Sequence, residues 1–207
     1  NIHDLALYNV YRDVLLAAGE KYDSKDTYTY GLTNYWRMNE GHGTVAADTR
    51  HTHDFEVLNT WEIFNTNYAL RIDSTVGAQF DISRINTDMN DSYAIELWYS
   101  PAGTDHDTVF ETEGLCLHYD SLQNLVLDHG TKSRTVAAYA DFTDMNVNWH
   151  HMALNVVRGQ AASFYLDGKR TAVIAEADVP VLKGASLTIA KGNRLVCVDE
   201  IRIWKAT

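Results

Sequence analysis

The sequence predicts an all-β sandwich of two antiparallel sheets, preceded by one N-terminal helix. Along residues 93–99, Tyr, Ile, Leu and Tyr alternate with Ala, Glu and Trp, which is the two-residue period of a strand. Further short runs follow, with turn residues at intervals of about 8 to 12 residues, as in all-β sandwiches. Only residues 4–20 show strong helical spacing.

The N-terminal helix is indicated by Leu5, Tyr8 and Leu15, which recur at helical spacing, and by Gly19, where a helix commonly ends. The polar stretch 21–29 is rich in Asp, Ser, Thr and Lys and is typical of a linker. We therefore divide the chain into a helix and linker at 1–29 and a sandwich domain at 30–207.

After residues 93–99, nine more strand-like runs are expected. They lie at 107–111, 114–120, 123–128, 133–140, 149–157, 161–166, 171–175, 186–191 and 195–204. Asp167-Gly168 separates two of them and favours a tight hairpin, because glycine accepts a positive φ at little steric cost.

Length and charge limit the function. The 207 residues, 45% of them hydrophobic, suffice for one core of this type. The 28 acidic and 17 basic residues give a net charge of −11, which argues against a nucleic-acid partner, because such proteins concentrate Lys and Arg on one face. No apolar run approaches the roughly 18 residues of a membrane-spanning helix, so membrane insertion is not expected.

The two cysteines, Cys116 and Cys197, each lie in an apolar strand-like segment. We expect reduced thiols that pack as small hydrophobic side chains. A disulfide stays open as the alternative, if the two strands are neighbours with suitable Cα spacing.

Four short motifs occur in a fixed order. They are YWRMNEGHGT at 35–44, WHHMALNVV at 149–157, FYLDGKR at 164–170 and VDEIRIW at 198–204. Their order and residues resemble the laminin G-like, concanavalin A-like jelly-roll domains of extracellular adhesion and carbohydrate-handling proteins. The resemblance implies a jelly-roll fold and an extracellular or cell-surface location. A helix joins successive copies in similar proteins, so residues 1–20 resemble such a connector and the chain resembles one unit of a tandem array.

The resemblance also implies a structural Ca²⁺, with Asp48 and Asp199 as candidate ligands. Calcium takes six to eight oxygen ligands from carboxylates, carbonyls and water. Asp48 is followed here by Thr49-Arg50-His51-Thr52-His53, where many relatives have small polar residues. The alternative role for Asp199 is a hydrogen bond to neighbouring turn amides.

Histidines do not suggest a second metal centre. His51 and His53 share one face of a strand, but no third ligand is indicated by the spacing that zinc requires. Adjacent His150 and His151 are expected to point to opposite faces of their strand, at least one of them packed in the interior.

No catalytic motif is found, so the chain is not expected to be an enzyme. Related glucanases place alternating carboxylates on one strand, whereas Glu96 stands alone here and Asp199 and Glu200 are expected to point to opposite faces. No nucleophile elbow, phosphate-binding loop or dinucleotide motif occurs. A hydrolase would require two carboxylates that converge only in the folded chain.

Aromatic side chains are the best candidates for ligand contact, because sugar rings stack on Trp and Tyr. Trp36, Trp98, Trp149 and Trp204 fall in motifs that the fold requires, so we expect them in the core. Trp61, in the loop-like segment LNTWEIF, is the tryptophan available for binding.

These features predict a non-catalytic extracellular recognition module within a larger protein, with a polysaccharide or a cell-surface protein as partner. The alternative is a structural spacer repeat of an adhesin, or an ancillary domain of a glycan hydrolase. A groove with converging polar groups distinguishes a binding module from a spacer.

Overall fold

The computed structural model describes residues 32–36, 45–47, 55–56, 60–64, 67–73, 76–83, 85, 91–101, 108–142, 148–192 and 195–206. These residues form sixteen strands. In chain order the strands are β1 (Leu32–Trp36), β2 (Val45–Ala46), β3 (Phe55–Glu56), β4 (Thr60–Phe64), β5 (Asn67–Asp73), β6 (Ala78–Asp81), β7 (Ser92–Pro101), β8 (Thr108–Glu113), β9 (Leu115–Tyr119), β10 (Leu125–His129), β11 (Lys132–Ala137), β12 (His150–Val156), β13 (Ala162–Leu166), β14 (Lys169–Ile174), β15 (Lys183–Lys191) and β16 (Leu195–Ala206). Short 3₁₀ turns occupy Tyr139–Asp141 and Glu176–Asp178.

The strands form two antiparallel sheets of a jelly-roll sandwich. The larger sheet has the order β14-β13-β12-β7-β16-β5-β4. Strand β5 pairs with the first half of β16, and β1 pairs with its second half. The smaller sheet has the order β11-β10-β9-β8-β15-β6. Strands β2 and β3 form a separate pair. The predicted fold class is therefore confirmed for the sandwich.

The core lies between the two sheets and is built from alternating residues. Along β7, Tyr93, Ile95, Leu97 and Tyr99 belong to it and are at most 1% exposed. Aromatic rings connect the layers: Trp36 and Phe80 have ring centroids 4.9 Å apart, and Tyr99 and Tyr119 have centroids 6.5 Å apart. Burying one such side chain stabilises the fold by about 1.5–3 kcal/mol.

The observed strands agree with the sequence prediction in number and order from residue 92 onward. The predicted hairpin at Asp167-Gly168 is also confirmed, because both residues have positive φ, 52° and 75°, and Leu166 pairs with Lys169. Both cysteines are free, Cys116 in the smaller sheet and Cys197 in the larger one, which rules out the neighbouring-strand arrangement that a disulfide needs.

The predicted helix at 4–20 lies outside the described residues, as does the boundary between 1–29 and 30–207. These assignments stay predictions. Among the described residues, no helix is long and apolar enough to cross a membrane.

Candidate functional site

A cleft of about 340 Å³ lies at one end of the smaller sheet, where two hairpin turns run side by side. The β8–β9 turn contributes Gly114, and the β10–β11 turn contributes Gly130 and Thr131. The third wall is the segment that leads from the second 3₁₀ turn into β15. The lining residues are Glu113, Gly114, His129, Gly130, Thr131, Lys132, Ala177, Asp178, Val179, Pro180, Val181 and Lys183. This volume is typical of small-molecule sites.

The walls of the cleft are connected to one another. The Gly130 N–H donates to the Gly114 carbonyl over 3.0 Å, which joins the two hairpin turns. Nζ of Lys132 forms an ion pair with Oδ1 of Asp178, which joins the β10–β11 hairpin to the third wall. These two contacts hold three chain segments around one opening.

The third wall is also anchored to the core. The hydroxyl of buried Tyr93 donates to the Pro180 carbonyl over 3.0 Å. Burial raises the pKa of Tyr93 far above its ordinary value, so this hydroxyl keeps its proton as a donor at every physiological pH. The Thr112 hydroxyl donates to the Lys183 carbonyl at the start of β15. The cleft is thus fixed on all sides by contacts between described residues.

His129 is the most buried of the polar side chains that line the cleft, at 8% exposure. It ends β10 in the same alternating row as Leu125 and Leu127, which are core residues, so it sits where the core meets the cleft. Burial lowers the pKa of His129, and the charge of Lys132 adds to this effect. The ring is therefore neutral at pH 7, with one donor and one acceptor nitrogen.

The charges of the cleft balance. Lys132 is paired with Asp178, and Glu113 and Lys183 lie opposite each other in the register of β8 and β15. Two carboxylates thus face two ammonium groups. Val179 contributes apolar surface along the third wall together with its neighbours Pro180 and Val181. Among the described lining residues there is no Trp, Tyr or Phe.

A second constellation lies on the face of the larger sheet that points away from the smaller one. We call Glu96 of β7, His151 of β12, and Glu200 and Arg202 of β16 the charged cluster. Nη1 of Arg202 lies 3.4 Å from Oε1 of Glu96, Nη2 contacts Glu200, and Nε2 of His151 lies 3.5 Å from Oε2 of Glu96. The indole N–H of Trp204 donates to Oε1 of Glu96 over 3.1 Å. All four side chains of the cluster are at most 6% exposed.

A bulge in β16 explains why the cluster was not expected. Glu200 has φ +54°, and the pairing register with β7 shifts between Asp199 and Arg202. The extra residue lets Asp199, which pairs with Trp98, lie on the same face as Arg202, while the Glu200 carboxylate also reaches Arg202. The prediction that Asp199 and Glu200 point to opposite faces is therefore wrong.

Glu96 and Glu200 are thus two carboxylates that converge only in the folded chain. In retaining glycosidases both carboxyl groups must face the sugar across about 5–5.5 Å. Here both contact the same guanidinium and both are buried. Both carboxylates are held by one guanidinium, as expected of a buried ion-pair network and not of two groups that face a substrate.

Of the predicted metal ligands, Asp199 is buried at 1% exposure on β16, and Asp48 lies outside the described residues. Within the described ranges, no three His, Cys, Asp or Glu side chains come together as a group that could hold a metal ion. The calcium site at Asp48 and Asp199 stays a prediction. His51 and His53 also lie outside the described residues.

The described tryptophans lie in the core, on the outer face of the larger sheet and at its edge. Trp36 is fully buried in the core, and Trp98 and Trp204 are 5% exposed, on the outer face of the larger sheet. Trp149 is half-buried. Trp61 lies in β4, the last strand at one edge of the larger sheet, and pairs with Leu70, so it is part of a strand and not of a loop. Its role in ligand contact stays a prediction.

His150 and His151 lie on opposite faces of β12, as predicted, and both are buried. Nδ1 of His150 lies 2.6 Å from Oδ2 of Asp167, in the turn between β13 and β14. Oδ1 of Asp167 accepts the His151 N–H over 2.9 Å. The WHH motif therefore serves the fold on both faces.

The cleft residues were missed by sequence reasoning. His129 follows the apolar run of β10, and Glu113 and Lys183 are far apart in the chain, so no local pattern brings them together. The sequence features that could have indicated the cleft are Gly114 and Gly130, which follow β8 and β10 in two adjacent turns and both have positive φ.

A protein family and several solved structures are similar to the chain. The family model described as the concanavalin A-like lectin/glucanases superfamily, Laminin_G_3, matches residues 73–207. No curated protein sequence shows significant similarity to the chain.

Among solved structures, the binding domain of Paraclostridial Mosquitocidal Protein 1 is similar, with a TM-score of 0.67, 12% identity, and coverage of 84% of this chain and 48% of that one. The botulinum neurotoxin serotype D ligand binding domain, in complex with N-acetylneuraminic acid, has a TM-score of 0.61 at 10% identity and coverages of 84% and 47%. The structure titled for botulinum neurotoxin type C, whose cell entry depends on interaction with two ganglioside molecules, has a TM-score of 0.61 at 12% identity, with coverages of 84% and 47%. The chain spans about half the length of these structures, and at these identities the likeness is one of fold.

Proposed function

Because the chain belongs to the concanavalin A-like lectin/glucanases superfamily, we propose that it is a non-catalytic recognition module that binds a glycan or a surface protein. The observation that carries this proposal is the cleft between the β8–β9 turn, the β10–β11 turn and the third wall. A preformed concavity with converging polar groups is what separates a binding module from a spacer.

The solved structures support a binding role for this type of fold. Two of them are binding domains, one of these in complex with N-acetylneuraminic acid, and the third is of a toxin whose cell entry depends on interaction with two ganglioside molecules. The similarity covers about half of each toxin domain, so those ligands belong to the toxins as wholes. For the present chain they support the glycan class of ligand and name no particular sugar.

The charged cluster supports a role without catalysis. Glu96 and Glu200 share one guanidinium, and a sugar ring that reached either carboxylate would have to displace Arg202. Displacing one partner of a buried ion pair costs about 3–5 kcal/mol. Binding at the cleft requires no such rearrangement.

We place the module in a larger extracellular or cell-surface protein. The matched toxin domains are about twice the length of this chain, which shows that the fold occurs within larger binding proteins. Ca²⁺ at Asp48 and Asp199 belongs to this proposal as a structural ion and takes no part in the cleft.

The test is a glycan-array screen of the purified chain, run once with calcium and once with EDTA. A hit in either condition supports recognition, and a hit that EDTA abolishes also supports the metal site. A blank array in both conditions, together with no turnover of polysaccharides, would overturn glycan recognition and favour the spacer or protein-binding alternative.

A further inference from the structure

The cleft at the end of the smaller sheet contains a polar side chain that is more than nine-tenths buried and has no hydrogen-bond partner among the described residues. The imidazole of His129 makes no hydrogen bond with any residue that the structure describes. Its ring nitrogens are not among the fully buried atoms without a partner, so water reaches them from the cleft, and a ligand hydroxyl can take the place of this water in the same hydrogen bond. The ring therefore marks the inner end of a binding site.

The charges around His129 select the class of ligand. An anion in the cleft would meet the carboxylates of Glu113 and Asp178, and a cation would meet the ammonium groups of Lys132 and Lys183. A hydroxyl group avoids both conflicts, because it donates to a carboxylate and accepts from an ammonium group. A neutral imidazole, with one donor and one acceptor, has the same dual capacity.

The third wall adds an apolar component. Val179, Pro180 and Val181 face the opening opposite the two hairpin turns. Carbon-bound hydrogens of a sugar ring can pack against such a wall while its hydroxyls meet the charged groups. Because no large aromatic ring lies among the described lining residues, this packing is weaker than stacking on Trp or Tyr.

We propose that this cleft binds an uncharged, hydroxyl-rich group, a neutral sugar unit, with His129 as its innermost hydrogen-bonding partner and Glu113 and Lys183 at its rim. The proposal rests on the recognition function proposed above and assigns it a site and a ligand class. Because the walls are already connected by Gly130, Lys132 and Tyr93, binding needs little rearrangement.

The test is a saturation-transfer NMR titration of the intact chain. The neutral probes are the methyl glycosides of glucose, galactose, mannose and N-acetylglucosamine, with N-acetylneuraminic acid as the anionic probe and glucosamine as the cationic one. We expect at least one neutral glycoside to bind more tightly than either charged sugar.

Two pairs of variants locate the site. Thr131→Trp fills the cleft from an exposed position, and its control Ser121→Trp changes an exposed residue in the β9–β10 turn. Glu113→Gln removes a rim acceptor, and its control Glu176→Gln changes an exposed carboxylate that does not line the cleft. We expect Glu113→Gln to lose about tenfold in affinity, since a hydrogen bond to a charged group is stronger than one between neutral groups. Thr131→Trp should lose about tenfold or more, since the larger side chain occupies the cleft. The controls should bind as the unmodified chain does.

The outcomes separate this proposal from the recognition function. Array hits with full affinity in both Thr131→Trp and Glu113→Gln would overturn the cleft assignment and leave recognition intact. Preferential binding of a charged sugar, lost in the cleft variants, would overturn the ligand class. Should one cleft variant fail to fold, the other decides. An array without hits, and no probe bound in the titration, would overturn both proposals.

Discussion

Nη1 of Arg202 lies 3.4 Å from Oε1 of Glu96, and neither side chain is more than 2% exposed. The same guanidinium contacts Glu200, so two buried carboxylates share one cation inside the protein. Their attraction replaces the hydration that each charge loses on burial. Ion pairs therefore contribute to packing on the outer face of the larger sheet, whereas apolar side chains pack on its inner face.

Arg202→Met should destabilise the protein by about 3 kcal/mol or more, because it leaves Glu96 and Glu200 buried without their cation. Unfolding in urea, followed by tryptophan fluorescence, measures the change. The matched control is Arg134→Met on exposed β11, which should change the unfolding free energy by less than about 0.5 kcal/mol. Equal effects of the two substitutions would contradict the role given to the charged cluster.

Asp167→Ala should cost about 2 kcal/mol, since it removes both the acceptor of the His151 N–H and the partner of His150. Asp167→Asn keeps an acceptor oxygen and tolerates the positive φ of this turn, so it should cost clearly less. Thermal unfolding of the three proteins gives the comparison. If Asp167→Asn lowers the melting temperature as much as Asp167→Ala does, the turn does not depend on an acceptor oxygen at position 167.

Stability should fall below about pH 6.5 partly because of His129. Burial lowers the pKa of its imidazole in the folded chain, so the unfolded chain takes up the proton first as the pH falls from 6.5. This contribution to stability is complete above pH 6.5 and is lost below it. The charged groups around the ring are Asp128, Lys132 and Arg134 on its own hairpin and Glu113, Asp178 and Lys183 across the cleft.

The variant that tests this is His129→Gln, which keeps a polar side chain that does not titrate. The difference between the unfolding free energies at pH 7.5 and pH 5.5 should be smaller in His129→Gln than in the unmodified protein. An unchanged difference would mean that His129 does not titrate differently in the folded and unfolded chains.

Cys116 should react slowly with alkylating reagents. Burial, with the Glu111 carboxylate, raises the pKa of this thiol from 9.0 to about 11. A rise of two units lowers the thiolate fraction at neutral pH about a hundredfold, and the thiolate is the reactive form. Iodoacetamide labelling followed by peptide mass analysis, on a Cys197→Ser background, measures the rate against a cysteine-containing peptide. Labelling as fast as the peptide would contradict the raised pKa of this half-buried thiol.

The strands of the sandwich could be predicted because their signal is local. Tyr93, Ile95, Leu97 and Tyr99 alternate in the sequence as they do in the core, and Asp167-Gly168 forms the turn that its residues favour. Pairing between neighbouring strands strengthens the local strand and turn preferences and does not reverse them.

The charged cluster could not be predicted from the same pattern. Its geometry depends on one extra residue at Glu200, which interrupts the alternation that places neighbours on opposite faces. Nothing in the letters VDEIRIW distinguishes a strand with this bulge from a regular one. Glu96 stands alone in sequence for the same reason, since its partners arrive from β12 and β16.

The cleft depends on contacts between distant segments. Gly114, Gly130 and Pro180 come from three connections, and their arrangement follows from the order of the smaller sheet. Aromatic stacking on sugars led to the prediction of Trp61, whereas the concavity is lined by charged groups and an imidazole. Ligand sites on loops vary independently of the scaffold that supports them.

Binding at the cleft is tested most directly by a ¹H–¹⁵N correlation spectrum of the intact chain, recorded with and without the neutral glycoside that binds best. We expect the largest amide shifts at Gly114, Gly130 and Thr131, around the cleft. Shifts confined to the edge strand that contains Trp61, or to the turn at residues 120–124, with none at the three cleft amides, would contradict it.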